Sequence, residues 1–288
     1  KWLQSQPWWE KQLTPMQDFG GKLQQTAVYY GPADQPITRV VCVGLGPAEL
    51  FDAEKLRDAS AGLMRKCREL QIKRPCLPLA ALEGLPLDMP VALRETLIGG
   101  MTGLYRYKAL KTRDEEPEAF PEVLCVLDDK EPDADLKEAL RDAVGTTDGI
   151  HLARDLVVAP ANFATPQFLA DTARDLANRY GFKLRLIDLD AAQKMNMGLF
   201  SAVAQGSREA AYIIVLDFAP AGMENDQPLV LIGKGITFDT GGISIKPSNK
   251  MEMMKHDMAG AAAVLGAFKV IGEMKPAKRI LGILACTE

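Results

Sequence analysis

Short apolar runs of strand length alternate along this chain with longer segments in which apolar residues recur every three or four positions. In the first part, this pattern predicts strands at 26–30, 39–43 and 123–127 and helices at 52–70 and 90–108. Such alternation is typical of α/β proteins. A membrane-spanning helix needs about 20 consecutive apolar residues, and no run in the sequence approaches that length.

A charged, proline-containing stretch at 128–135 interrupts the pattern and predicts a domain boundary. Within it, Asp133 has the position of an N-terminal cap for a connecting helix. The sequence therefore predicts a smaller N-terminal α/β domain over residues 1–130, a connecting helix over 131–158 and a second α/β domain over 159–288.

The second domain is predicted to open with a helix that Thr165 caps and in which Pro166 takes the first position. Its predicted apolar face comprises Phe168, Leu169, Thr172, Ala173 and Leu176. Strands are then predicted at 183–187, 211–217, 228–233 and 279–285. The second and third of these strands are apolar almost throughout, which predicts central strands with both faces covered.

Two lysines and two aspartates follow the third of these strands, among glycines and apolar residues. They are Lys234, Asp239, Lys246 and Asp257. Charged side chains in such surroundings are expected to have little access to water, so each needs an opposite charge or a hydrogen-bonding partner. A divalent cation would meet this need, and a lysine amine that has lost its proton can serve as a further ligand. The alternative interpretation is a surface lysine beside a solvated aspartate.

Asp257 is expected to lie on a helix that begins after Ser248, because Asn249 and Glu252 have the spacing of a capping box. The residues on its face would be Met253, Met254, Gly260, Ala261 and Val264. The carboxylate would therefore project from the middle of an apolar stripe. His256 lies about 100° around such a helix from Asp257, and neither it nor His151 is expected to be a ligand.

The amino-acid composition bears on the binding partners and the cellular compartment of the protein. The chain has 34 basic and 38 acidic residues, a net charge of −4, and no basic run, so nucleic-acid binding is not indicated. Its 5 cysteines are scattered without metal-binding spacing. Together with the lack of a signal-peptide pattern, they indicate free thiols in a reducing cytoplasm.

The two lysines and two aspartates, in this order, resemble the signature of the leucyl aminopeptidases, also called cytosol aminopeptidases. Further blocks of similarity cover 149–156, 160–166 and 202–207, and fainter similarity begins near Gly20. The resemblance implies a smaller macro-like domain followed by a peptidase domain with a central, largely parallel sheet covered by helices. It also implies peptide substrates with Leu or other, mainly apolar, N-terminal residues, cytoplasmic hexamers, bicarbonate, and two divalent ions per subunit. Manganese or zinc would be the preferred ions, with magnesium or cobalt as alternatives.

In that family, the residues matching Lys234, Asp239 and Asp257 are metal ligands, and the one matching Asp239 bridges two ions. The residue matching Lys246 keeps its charge and stabilises the oxygen of the substrate carbonyl. The residue matching Met254 lines the pocket for the first side chain, although ordinary core packing explains a methionine there equally well. These roles are implied by the resemblance alone.

The resemblance further implies an Asn-Thr-Asp-Ala-Glu-Gly-Arg segment that supplies two more carboxylate ligands and an arginine for the bicarbonate. This sequence does not contain it, so the chain is expected to hold only part of the active site and to be inactive alone. Two alternatives stay open. One is a non-catalytic binding or scaffold subunit, and the other is a hydrolase that uses Ser244 and Lys246, which would face the same side of an extended segment.

Overall fold

The computed structural model describes residues 19–31, 39–110, 124–126 and 131–288. The described chain divides into two compact units between Thr147 and Asp148. Part of the predicted boundary stretch, residues 128–130, lies outside the described residues. None of the described helices is both long enough and apolar enough to cross a membrane.

The described part of the first unit contains two small two-stranded sheets, a pair of α-helices and two short 3₁₀ helices (Ala48–Leu50 and Leu79–Ala81). Its strands are β1 (Thr26–Tyr30), β2 (Arg39–Val43), β3 (Cys76–Pro78) and β4 (Leu124–Val126), and its helices are α1 (Ala53–Glu69) and α2 (Met89–Gly103). Strands β1 and β2 pair antiparallel, whereas β3 and β4 pair parallel. The helices touch backbone to backbone, since a Cβ atom added at Gly99 would lie 2.1 Å from the carbonyl oxygen of Arg57. All elements predicted for this region are present, and β3 was not predicted.

A long helix, α3 (Ala134–Val158), follows. The carboxylate of Asp133 accepts a hydrogen bond of 2.9 Å from the backbone N–H of Leu136, which confirms the predicted cap.

The second unit is an α/β structure built on one four-stranded sheet. Its elements are α4 (Pro166–Tyr180), β5 (Lys183–Asp188), α5 (Leu189–Lys194), α6 (Gly198–Ala204), β6 (Tyr212–Phe218), β7 (Leu229–Ile236), a 3₁₀ helix (Met251–Met258), α7 (Ala259–Met274) and β8 (Ile280–Thr287). The strand order is β5-β6-β8-β7. The α/β class is confirmed. The described sheet is mixed: β5, β7 and β8 run in one direction and β6 runs in the opposite one, so β7 and β8 are the one pair of neighbouring strands that is parallel.

The core of this unit lies between the sheet and helices α4 and α7. Leu169 of α4, Ile214 of β6 and Phe268 of α7 are fully buried. Thr165 caps α4 as predicted, with its hydroxyl accepting from the N–H of Phe168 at 3.3 Å. The side chain of Phe168 itself is exposed, so its predicted place on the apolar face is wrong. The buried face of α4 consists of Pro166, Leu169, Ala170, Ala173, Leu176 and Ala177.

Strand β7 departs from the prediction of a central strand. Within the described residues it pairs only with β8, and it therefore forms an edge of the sheet. Leu229 and Val230 are exposed, and Ile232 is 76% exposed. An apolar run indicates that a strand can be covered on both faces, but strand order decides whether neighbours are there to cover it.

Candidate metal centre

The candidate centre depends on a close approach of strand β7 to the start of helix α7. A Cβ atom added at Gly233 would lie 2.6 Å from the carbonyl oxygen of Gly260 and 2.7 Å from the Cα of Ala261. Real Cβ atoms do not tolerate such distances, so glycine is required for this approach. The contact brings Lys234, the next residue of β7, beside Asp257, which lies just before α7.

Replacement of Gly233 by alanine is therefore expected to destabilise the protein by about 1–3 kcal/mol, because the added methyl group forces β7 away from α7. Thermal melting of the two proteins measures the effect. Gly198→Ala is the matched control, since no atom lies within 4 Å of a Cβ added there. Equal melting temperatures for Gly233→Ala and Gly198→Ala would contradict the packing argument.

The first charged pair joins β7 to the 3₁₀ helix. The Nζ atom of Lys234 lies 2.7 Å from Oδ2 of Asp257, with side chains that are 54% and 23% exposed. This oxygen is buried, and the orientation of the two groups is not that of a hydrogen bond, so Oδ2 has no hydrogen-bond donor. The charge of Lys234 compensates this oxygen without a hydrogen bond, and its lone pairs stay available to a cation.

The second charged pair lies in the loop after β7. The Nζ atom of Lys246 lies 2.7 Å from Oδ2 of Asp239 and also donates to the backbone oxygen of Asp239 at 3.2 Å. The other carboxylate oxygen accepts from the N–H of Gly241 at 2.8 Å. Gly241 has a φ of +97°, and a Cβ there would lie 2.6 Å from the carbonyl oxygen of Ser244. Glycine at this position lets the loop fold back and place Lys246 on Asp239.

Electrostatics connect the two pairs. The hydrogen bond from Lys246 holds the pKa of the Asp239 carboxyl below its usual value, and the N–H of Gly241 acts in the same direction. The charge of Lys234 also lowers the pKa of Asp239. Lys234 therefore acts on both aspartates, and the four side chains form one electrostatic group, which we call the lysine–aspartate cluster.

Two expectations about this cluster are wrong. Asp257 lies on a 3₁₀ helix rather than in the middle of an α-helix, and the side chain of Lys250, which precedes that helix with a φ of 59°, makes no capping bond. The proposed capping box of Asn249 and Glu252 is thus absent. Water also reaches the cluster, because more than half of the Lys234 side chain is exposed.

The remaining sequence candidates lie in different surroundings. Met254 and His256 are partly buried on the 3₁₀ helix, and the role of Met254 in a substrate pocket stays a prediction. His151 belongs to α3. Ser244 is exposed at a bend, and the amine of Lys246 faces Asp239, so the extended segment that a serine–lysine pair would need is not formed.

The cluster offers two carboxylates and one amine as donors to a divalent cation. In the part of the chain that the structure describes, no three or more His, Cys, Asp or Glu side chains come together. The donor chemistry of Asp239, Asp257 and a neutral Lys234 suits Mn²⁺ or Zn²⁺. These residues therefore fit part of a metal site, and the Asp257 oxygen that accepts no hydrogen bond is a donor available to such a cation.

Comparisons with known proteins identify the family of this chain. The model of the cytosol aminopeptidase family catalytic domain matches residues 151–288, and the model of the N-terminal domain of the same family matches residues 10–114. The chain belongs to the cytosol aminopeptidase family. The catalytic-domain match includes all four residues of the lysine–aspartate cluster.

The curated relatives of this chain have longer sequences than the chain itself. A probable cytosol aminopeptidase of Syntrophobacter fumaroxidans is 49% identical over 288 residues, which are 100% of this chain and 57% of the relative. A second, from Nitratidesulfovibrio vulgaris, is 43% identical over 94% of this chain and 54% of its own length. The chain thus spans about half the length of the curated relatives it matches.

Solved structures give the same picture. The bottromycin maturation enzyme BotP in complex with Mn has a TM-score of 0.80 and 30% identity, and the match covers 96% of this chain and 56% of BotP. A mutant of tomato leucine aminopeptidase has a TM-score of 0.79 and 29% identity, covering 94% of this chain and 51% of the tomato protein.

Proposed function

We propose that this chain supplies part of the active site of a metal-dependent aminopeptidase that removes N-terminal residues, mainly apolar ones such as Leu, from peptides. The observation that carries the proposal is the lysine–aspartate cluster, in which two ammonium–carboxylate contacts of 2.7 Å lie at the end of one strand. Membership of the cytosol aminopeptidase family supports the peptidase class. The manganese complex of a structurally similar enzyme supports metal dependence.

Lys234, Asp239 and Asp257 would supply part of the ligands of two divalent ions, manganese or zinc by preference. Magnesium or cobalt are alternatives. Divalent ions at such a site polarise carbonyl oxygens and supply hydroxide at neutral pH. Lys234 can join the ligands only after losing its proton, and the present contact with Asp257 is then replaced by one to the cation.

Lys246 would stabilise the negative charge that develops on the oxygen of the scissile carbonyl. Its ammonium has three N–H groups, and Asp239 offers it two acceptors, a carboxylate oxygen and a backbone oxygen. A third N–H is left to donate to the substrate, and the side chain is 35% exposed, so a substrate can reach it. A fixed ammonium next to a developing oxyanion lowers the barrier without reorganisation.

Several further features of the proposal rest on family resemblance. They are bicarbonate as an additional cofactor, a cytoplasmic hexamer, a macro-like first domain with the boundaries given above, and Met254 in the pocket for the first side chain. Within the described residues, the free thiols of Cys42, Cys67 and Cys286 are compatible with a reducing compartment.

The proposal is tested with the protein as its gene encodes it. Treatment with a chelator should lower the hydrolysis of Leu amide by about 100-fold or more, and added Mn²⁺ or Zn²⁺ should restore it. N-acetylated Leu amide, in which the amino terminus is blocked, should not be hydrolysed. Full activity in chelator, with a serine-directed inhibitor labelling Ser244, would instead favour the serine–lysine hydrolase. Lack of hydrolysis with every metal would favour a non-catalytic subunit.

A further inference from the structure

Lys255 makes a long-range contact close to the lysine–aspartate cluster. Its ammonium donates a hydrogen bond of 2.6 Å to the backbone oxygen of Val158, 97 residues away in sequence. Val158 is the last residue of α3. The final carbonyl groups of a helix have no partner within the helix and carry the negative end of its dipole. A partly buried ammonium at this position therefore forms a strong, charge-assisted hydrogen bond.

The segment that carries Lys255 needs such a contact. The 3₁₀ helix Met251–Met258 is 8 residues long, and no side chain caps its first turn. Runs of 3₁₀ helix longer than about four residues are uncommon, because their hydrogen bonds are poorer than those of an α-helix. The position of Asp257 on this segment is therefore expected to depend on contacts outside the segment.

Lys255 and Asp257 hold two different sides of that segment. Each residue of a 3₁₀ helix turns by about 120°, so two residues separated by one position point in directions about 120° apart. Lys255 reaches the end of α3, while Asp257 reaches Lys234 on β7. The 3₁₀ helix is therefore held between α3 on one side and β7 on the other.

We propose that Lys255 is a positioning residue for Asp257. By binding the Val158 carbonyl, it fixes the rotation of the 3₁₀ helix and aims the Asp257 carboxylate at the place where a cation would bind. This inference rests on the proposed metal-dependent function, and Lys255 itself contacts neither metal nor substrate.

The test compares Lys255→Met, which keeps the apolar stem, with Lys255→Arg, which keeps a charged donor. Mn²⁺ affinity is measured by the electron paramagnetic resonance signal of free Mn²⁺, next to kcat, KM and melting temperature with the protein as its gene encodes it. Lys255→Met should weaken Mn²⁺ binding by about 10- to 100-fold and lower kcat at limiting Mn²⁺, with KM little changed. Lys255→Arg should restore most of the affinity. Lys278→Met, which removes an exposed lysine, is the control and should match the wild type.

The outcomes separate the two proposals. If Lys255→Met binds Mn²⁺ as the wild type does while Asp257→Asn has lost binding, the positioning role is wrong and the proposed function stands. If Lys255→Met only lowers the melting temperature and Lys255→Arg does not rescue Mn²⁺ affinity, Lys255 is merely structural and the inference fails. If the wild type neither binds Mn²⁺ nor hydrolyses Leu amide, the proposed function fails and the inference fails with it. Should Lys255→Met not fold, Lys255→Gln takes its place, and wild-type affinity in that variant would overturn the inference.

Discussion

Asp257→Asn should leave the protein folded while lowering both Mn²⁺ affinity and the hydrolysis of Leu amide by about 100-fold or more. The carboxylate is 23% exposed and its partner Lys234 is more than half exposed, so loss of the ion pair changes stability little. The neutral amide, in contrast, provides one weak oxygen donor in place of an anionic ligand. Isothermal titration with Mn²⁺ and a steady-state assay measure the two losses.

Asp175→Asn is the matched control, because Asp175 is an exposed carboxylate on α4, away from the cluster in sequence. It should behave as the wild type in both measurements. Asp257→Asn with wild-type activity would overturn the assignment of Asp257 as a ligand. A large fall in melting temperature for this variant would show that the aspartate is needed for folding instead.

Lys246→Met should lower kcat by about 10²- to 10³-fold, the effect of removing one preorganised donor from a developing oxyanion, and should leave Mn²⁺ affinity close to that of the wild type. Asp239 is unchanged in this variant. Its carboxylate loses the hydrogen bond from Lys246 that holds the pKa of Asp239 below its usual value. Chemistry and metal binding are therefore expected to separate in Lys246→Met and to fall together in Asp257→Asn.

Lys246→Arg refines this prediction. A guanidinium keeps the charge but cannot place a single N–H as an ammonium does, so only partial activity is expected. Lys278→Met again serves as the exposed-lysine control. If Lys246→Met lost Mn²⁺ affinity as strongly as Asp257→Asn does, Lys246 would have to be counted among the residues that hold the metal.

Sequence patterns located the elements of this fold well. Strands β1 and β2 have the predicted bounds, and the second unit contains all four predicted strands within a few residues. The reason is that strand and helix periodicity depends on neighbours in sequence. Strand order depends on pairing between distant segments, and for that reason the exposed edge position of β7 could not be predicted.

For the lysine–aspartate cluster too, the sequence predicted local features but not the contacts between distant residues. The four residue types and their setting among glycines were evident from the sequence, but the pairing of Lys234 with Asp257 and of Lys246 with Asp239 was not. That pairing follows from the contact of Gly233 with Gly260 and from the left-handed turn at Gly241. Lys255 was missed because its partner is a backbone carbonyl 97 residues away, which has no side-chain signature.

The winding of the segment before α7 also has a mechanical consequence. Eight residues in 3₁₀ form extend over about 16 Å, whereas the same residues in α form would extend over about 12 Å. If this stretch rewound as a continuation of α7, its Met251 end would move toward α7 by about the length of one residue of extended chain. The side chains would also rotate about the helix axis. The Asp257 carboxylate faces Lys234 in the stretched form, so the winding of this stretch is part of what sets the geometry of the cluster.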